Sequence, residues 1–135
     1  MSCGDCHGAP AGDTRGGPHG SRNRWLLREP YVVLDGTPES PSTYAACYGC
    51  HDRGTILSDT SFEGHSSHVL SASVACGSCH DAHASRDAPG LIQFGRDARF
   101  GRVDPSSSGR LEYEPTTRSC YLSCHGVDHD PLGYL

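Results

Sequence analysis

Four times in 135 residues a histidine follows directly on a paired cysteine. Residues 3–7 read CGDCH, 47–51 read CYGCH and 76–80 read CGSCH. Residues 120–125 read CYLSCH, the same arrangement with one extra residue between the cysteines. All eight cysteines are used in this way. A C-x-x-C pair alone can hold zinc, cycle as a dithiol, close a disulfide or carry haem. The histidine separates these readings. With nine His in the chain, four chance placements after the second Cys have a probability on the order of 10⁻⁵. Zinc would need two pairs brought together and gives no reason for the adjacent His. A dithiol motif is usually single and sits in a βαβ context, and a disulfide framework would not impose the pattern four times.

Haem attachment accounts for the spacing. Two thiols add to the two vinyl groups on one porphyrin edge, and the next residue then lies under the ring, where its imidazole reaches the iron. Cys3, Cys6 and His7 form the first expected site. Cys47, Cys50 and His51 form the second, and Cys76, Cys79 and His80 the third. Cys120, Cys124 and His125 form a fourth in which the extra residue bulges without losing either thioether; its competing reading is a disulfide or free thiols near a surface loop. The cofactor expectation is four covalently bound haem c groups.

Composition then sets the fold class. Hydrophobic residues make up 35% of the chain, with 17 Gly and 9 Pro, and mean hydropathy is −0.51. That is too little apolar side chain for an ordinary core of this length. Alone it would imply disorder. Four haems change the inference, because each brings two large apolar faces, and thioether and iron–His bonds staple the loops. The expected fold has few secondary structures. It is mostly coil with short helices and a short β-hairpin, wrapped around a stack of four covalently attached haems. YVVL (31–34) reads as a short strand, helical turns are expected near Thr43–Ala46 and Thr116–Ser119, and DPSSSG (104–109) reads as a turn. No 18-residue apolar run is present, so no membrane-spanning helix is expected. Formal charge is −5, which gives no support for nucleic-acid binding. All 11 basic residues are Arg. Planar Arg forks suit propionate carboxylates, but ordinary surface charge explains them as readily.

The chain also reads as one domain, 1–135, of two duplicated dihaem units, about 1–60 and 61–135. Cys3 to Cys47 and Cys76 to Cys120 are both 44 residues apart. The first and third motifs share C-G-x-C-H, and the second and fourth share Cys-Tyr after PSTYAA and PTTRS. HGSRN (19–23) precedes Trp25, Leu26 and Leu27, and HASRD (83–87) precedes Leu91 and Ile92.

Four six-coordinate irons need eight axial ligands. After the four motif histidines, five remain: His19, His65, His68, His83 and His129. The single methionine is Met1, so bis-histidine ligation with one imidazole to spare is expected. The duplication assigns His19 to the second haem and His83 to the fourth. His68 is the preferred ligand of the third, with His65 next. For the first haem two solutions stand. Either His65 and His68 serve the first and third haems and His129 is spare, or His129 serves the first haem of a neighbouring copy. The second is a heterologous contact that can propagate as an open homopolymer.

On these residues, with CGSCHDAHAS (76–85) and the histidine supply, the chain resembles the doubled C-x-x-C-H class of multihaem c-type cytochromes. Within that class it is similar to small tetrahaem proteins that polymerise into extracellular conductive filaments. The resemblance implies haems stacked in alternating parallel and T-shaped pairs, distal histidines that can cross subunit boundaries, and redox proteins or extracellular acceptors as partners. The expected function is electron transfer, with no catalytic residues and low potentials for lack of an axial Met. The alternatives are a multihaem reductase with one open-coordination haem, and a discrete subunit or fragment of a larger periplasmic cytochrome complex. Because c-type attachment belongs outside the cytoplasmic membrane and Cys3 stands so near the start, the expectation is an exported, periplasmic or extracellular protein whose leader is absent from this sequence.

Overall fold

A computed structural model describes residues 2–10, 12–13, 17, 19–83, 87–94 and 103–133. Regular structure is sparse among them. Four helical segments of one turn or little more are α1 (Cys3–Cys6), α2 (Ala45–Tyr48), α3 (Arg53–Leu57) and α4 (Cys76–Cys79). A π-helical turn covers Ser66–Ser71, and 3₁₀ turns cover Arg24–Leu26 and Pro89–Leu91. Three antiparallel strands close the chain: β1 (Glu112–Glu114), β2 (Ser119–Cys124) and β3 (Val127–Gly133), in the order β1-β2-β3. The mostly coil expectation with short helices holds, and the small sheet is the main addition to it.

The YVVL strand does not form. Residues 31–33 join no ladder, and the chain bends at 34 and turns at 35–36. Val32 N–H reaches Thr43 O at 3.0 Å, and Ala46 N–H reaches Pro30 O at 3.0 Å. Pro30 and Pro38 bracket the segment, and Pro cannot donate to a ladder, so it serves as a brace for the turn into α2. That turn is where a helical lead-in was expected at Thr43–Ala46. At 115–118 the chain also turns, but it enters a strand. The turn within 104–109 is present: Ser106 N–H bonds Arg110 O at 2.8 Å, and Asp104 and Ser123 exchange both backbone bonds at 2.9 and 2.7 Å.

The apolar core is small and adjoins the cysteines. Tyr44, Val69 and Ala75 are buried, with Tyr31, Val32, Cys47, Tyr48, Leu57 and Cys76 packed against them. Meanwhile Trp25, Leu26, Leu34, Leu70 and Leu91 stay between 38% and 58% exposed. Two polar knots hold the coil. Glu39 accepts from Arg53 Nε and Nη2 at 2.8 and 2.6 Å and from Tyr48 Oη at 3.0 Å, which ties α2 and α3 to the 37–40 segment. Asp35 Oδ1 accepts from Ala75 N–H and Ser78 Oγ, both at 2.7 Å, and its Oδ2 lies 3.0 Å from His125 Nε2. One carboxylate therefore joins the first half of the chain to α4 and to the end of β2.

Candidate haem-binding sites

The first three motifs are built alike. In each, the histidine backbone N–H closes a helical turn onto the carbonyl of the first cysteine: His7 on Cys3 at 2.8 Å, His51 on Cys47 at 3.0 Å, His80 on Cys76 at 2.9 Å. Residues three apart share a face of such a turn, so C-x-x-C directs both thiols to one side. The histidine is the cap residue in the first and third motifs, whereas Gly49 caps α2 in the second.

The first and third motifs share a further device. His7 Nδ1 lies 2.8 Å from Trp25 O, and His80 Nδ1 lies 2.8 Å from Gly90 O. A carbonyl only accepts, so each Nδ1 carries the proton and each Nε2 keeps a free lone pair, the tautomer a metal-ligating imidazole needs. Both carbonyls come from a left-handed residue inside a 3₁₀ turn, Trp25 at φ 56° and Gly90 at φ 62°. Matching isolated bridges, His7 with Leu27 and His80 with Ile92, lock the two turns against their motifs. The pairs Trp25–Leu27 and Gly90–Ile92 thus do equivalent work at different distances from their cysteines.

The fourth motif is built differently. Cys120 and Cys124 lie on β2, not on a helical turn. Side chains two apart on a strand share a face, which places Cys120, Leu122 and Cys124 on one side. The strand pairs Leu122 with His129, and directly opposed residues share a face. The register slips between Cys120 and Leu122, with the extra residue on β3. His125 leaves the strand at φ 49°, its side chain 54% exposed.

The histidine rings gather in pairs. His7 and His83 have centroids 6.1 Å apart, nearly parallel at 20°. His65 and His80 are 6.2 Å apart, and so are His68 and His129. His83, expected beside the fourth motif, lies beside His7, and His65 rather than His68 lies beside His80. His129 is buried against His68 of its own chain, with 4% exposure. His68 Nδ1 lies 2.6 Å from Gly64 O. His19 and His51 are exposed. Burial lowers the basicity of His65, His80 and His129, and each is lowered further by a neighbouring imidazole: His80 for His65, His51 for His80, His68 for His129. Neutral imidazole is the ligating form.

The cysteines also converge. Cys47 and Cys76 share a thiol hydrogen bond, which together with burial pushes the Cys76 thiol up. Cys79 is pushed up to about 12 by burial, with Cys120 and Cys124 beside it.

Do these residues fit haem? Two imidazoles sharing one iron would need about 2 Å per metal–nitrogen bond and about 1.1 Å from nitrogen to ring centre on each side, about 6 Å between ring centres. Three ring pairs meet that separation. Two buried polar atoms among the described residues, Tyr44 Oη and Gln93 Oε1, have no hydrogen-bond partner. Tyr44 is fully buried beside Cys47 and Cys76. Unpaired buried polar atoms are costly in a finished interior, and a haem edge with its propionates would give Tyr44 an acceptor. The exposed Trp25, Leu26 and Leu91 flank the first and third motifs and are suited to cover a porphyrin face.

Residues 1–55 match a family model described as a doubled CXXCH motif. The match supports a multihaem c-type cytochrome. It takes in the first two motifs, and with it covalently bound haem c and electron transport. No curated protein and no solved structure matches the chain. Proteins of this class are typically exported, and among the described residues no helix is long and apolar enough to cross a membrane. The sequence alone marked the motif residues and the histidine supply. It did not mark Trp25 O, Gly90 O or Asp35, because backbone carbonyls and a lone turn carboxylate leave no pattern in a sequence.

Proposed function

We propose that this chain is an electron carrier holding four covalently attached c-type haems, each between two histidines. The observation that carries the reading is the recurrence of imidazole pairs near 6 Å beside cysteine pairs, with Nδ1 of His7, His80 and His68 tied to backbone carbonyls. When bound, haem iron supplies one-electron redox chemistry. The chain's part is to orient the rings, keep imidazoles neutral and exclude water. Histidine on both faces, with no methionine to raise the potential, favours low potentials. About 34 residues for each haem cannot insulate one cofactor from the next, so the haems would pack closely.

The finer reading is a subunit of an extracellular filament with redox proteins or extracellular acceptors as partners, and it rests on the family resemblance. The ligand count favours a carrier over a reductase, since nine histidines are enough for the eight axial positions of four haems.

Intact mass and oxidised-state spectra of the purified protein test the reading. Four haem masses and uniformly low-spin ferric signals are expected. A colourless protein of bare polypeptide mass would overturn it, and a persistent high-spin haem would transfer the reading to the reductase. Imaging of native material distinguishes a filament from a discrete complex.

A further inference from the structure

We propose that Asp35 sets reduction potentials: its carboxylate is a fixed negative charge that holds the haems of the third and fourth motifs below the potentials they would otherwise have, and leaves those of the first two unmoved. This rests on the haem reading proposed above and adds a tuning residue to it.

Three observations carry it. First, the carboxylate is anchored between the two motifs. Oδ1 accepts from the N–H of Ala75, the residue before Cys76, and from Ser78 Oγ inside the third motif, both at 2.7 Å. Oδ2 lies 3.0 Å from His125 Nε2, at the end of the fourth. None of these partners belongs to the first two motifs. The two bonds to Oδ1 fix the carboxylate without help from His125, so the charge stays in place when that imidazole serves iron. Second, the charge is covered and lacks a lasting counterion. The Asp35 side chain is 12% exposed, and among the described residues its only ion pair is with His125, a pairing that needs the ring protonated. A ligating imidazole is neutral, and a covered carboxylate left without a cation is costly. A ferric haem between two imidazoles carries one net positive charge at its centre and the ferrous form carries none, so reduction removes the counterion. Third, the field of Asp35 reaches one sulfur in each motif. Burial pushes the Cys124 thiol up, and Asp35 adds to the rise. At Cys79 it adds to burial, Cys120 and Cys124. A charge that resists thiolate at those sulfurs resists an added electron on the porphyrins they would hold, for the same Coulombic reason.

The two halves of the duplication then differ. Asp35 belongs to the first half and acts on the haems of the second, which release electrons more readily than their axial ligands alone would make them. A unit charge acting across about 10 Å at an effective dielectric constant of about 20 biases an equilibrium on the order of tenfold, which for a one-electron couple is about 59 mV.

The test uses the haem-loaded protein. Asp35→Asn and Asp35→Ala are each prepared and read by intact mass, by hydrogen exchange of α4 and by potentiometric titration of the four haems. Asparagine keeps an oxygen for the two donors and alanine does not, so the variants differ in how firmly they hold α4, while both remove the charge. Both should keep four haems. Both should raise two of the four midpoint potentials by a similar amount, on the order of a tenfold change in the ferrous-to-ferric ratio at a fixed applied potential. Backgrounds that each lack one haem assign the shifts. One of the two should vanish with Cys76→Ala/Cys79→Ala and the other with Cys120→Ala/Cys124→Ala, and both should remain with Cys3→Ala/Cys6→Ala. Unmoved potentials, an equal shift of all four haems, a shift in the haems of the first two motifs, or shifts that follow the exchange of α4 and not the loss of charge would each overturn the proposal. Loss of a haem from Asp35→Asn would overturn it too, by reducing Asp35 to a structural brace. Wild type of bare polypeptide mass would instead fail the underlying reading.

Discussion

Removing the Asp35 carboxylate should loosen the third motif from a distance of 40 residues. Oδ1 accepts from Ala75 N–H and Ser78 Oγ at 2.7 Å, and those residues are 1% and 5% exposed. Asp35→Ala takes the acceptor from the buried Ala75 N–H and one partner from Ser78 Oγ, at about 1–3 kcal/mol for each bond lost before relaxation. The contact to His125 adds little, because that ring is half exposed and exposed charge pairs contribute small amounts. Allowing for partial water entry, the local cost is about 2–4 kcal/mol, which corresponds to roughly 30- to 1000-fold faster opening. Asp35→Asn keeps an amide oxygen for both donors and loses only charge assistance, about 1 kcal/mol. Hydrogen exchange of the haem-loaded protein reads this out. Amides at Ala75 and through α4 should accelerate at least about 30-fold in the alanine variant, several-fold in the asparagine variant, and not at all in α3. Equal exchange of α4 in wild type and Asp35→Ala would refute the claim that this carboxylate holds the motif.

Three further outcomes are expected. The Arg53 guanidinium, hydrogen-bonded to Glu39, outweighs burial, and with help from the Tyr48 hydroxyl it holds the Glu39 carboxyl below its ordinary 4.5. A depressed carboxyl contributes stability that is complete above the unfolded value and lost as pH falls through the folded one. The thermal midpoint of Glu39→Gln should therefore be lower than wild type near neutrality and converge with it in acid. Gly90→Ala should cost about 1 kcal/mol, because φ 62° is left-handed while the added Cβ meets only ordinary contacts with Ile92 at 3.7 Å; an unfolding midpoint checks it. Replacing Cys47 and Cys50 together by Ala should lower the intact mass by one haem and leave the other three attached.

The sequence was most legible where chemistry dictates spacing. C-x-x-C-H implies a tight turn, and α1, α4 and the turn ending α2 supply it. The scarcity of apolar residues correctly implied coil with short elements. YVVL misled because alternating burial and flanking prolines matter more than β-branched content in so short a run. The β2–β3 hairpin was hidden under SCYLSC and VDHDPLG, where motif cysteines and a Pro obscure any strand period. Histidine pairing was the least legible feature. His19 and His83 hold equivalent places relative to nearby residues, yet His83 lies beside His7, since coil between short elements leaves sequence distance a poor guide to neighbours.

The contact between Cys47 and Cys76 bears on how such a molecule can be made. Two thiols from distant segments hydrogen-bond to one another beside a fully buried tyrosine. On the haem reading proposed above both sulfurs become thioethers with no hydrogen to donate, so attachment at either motif would dissolve this bond and set pigment beside Tyr44 in its place.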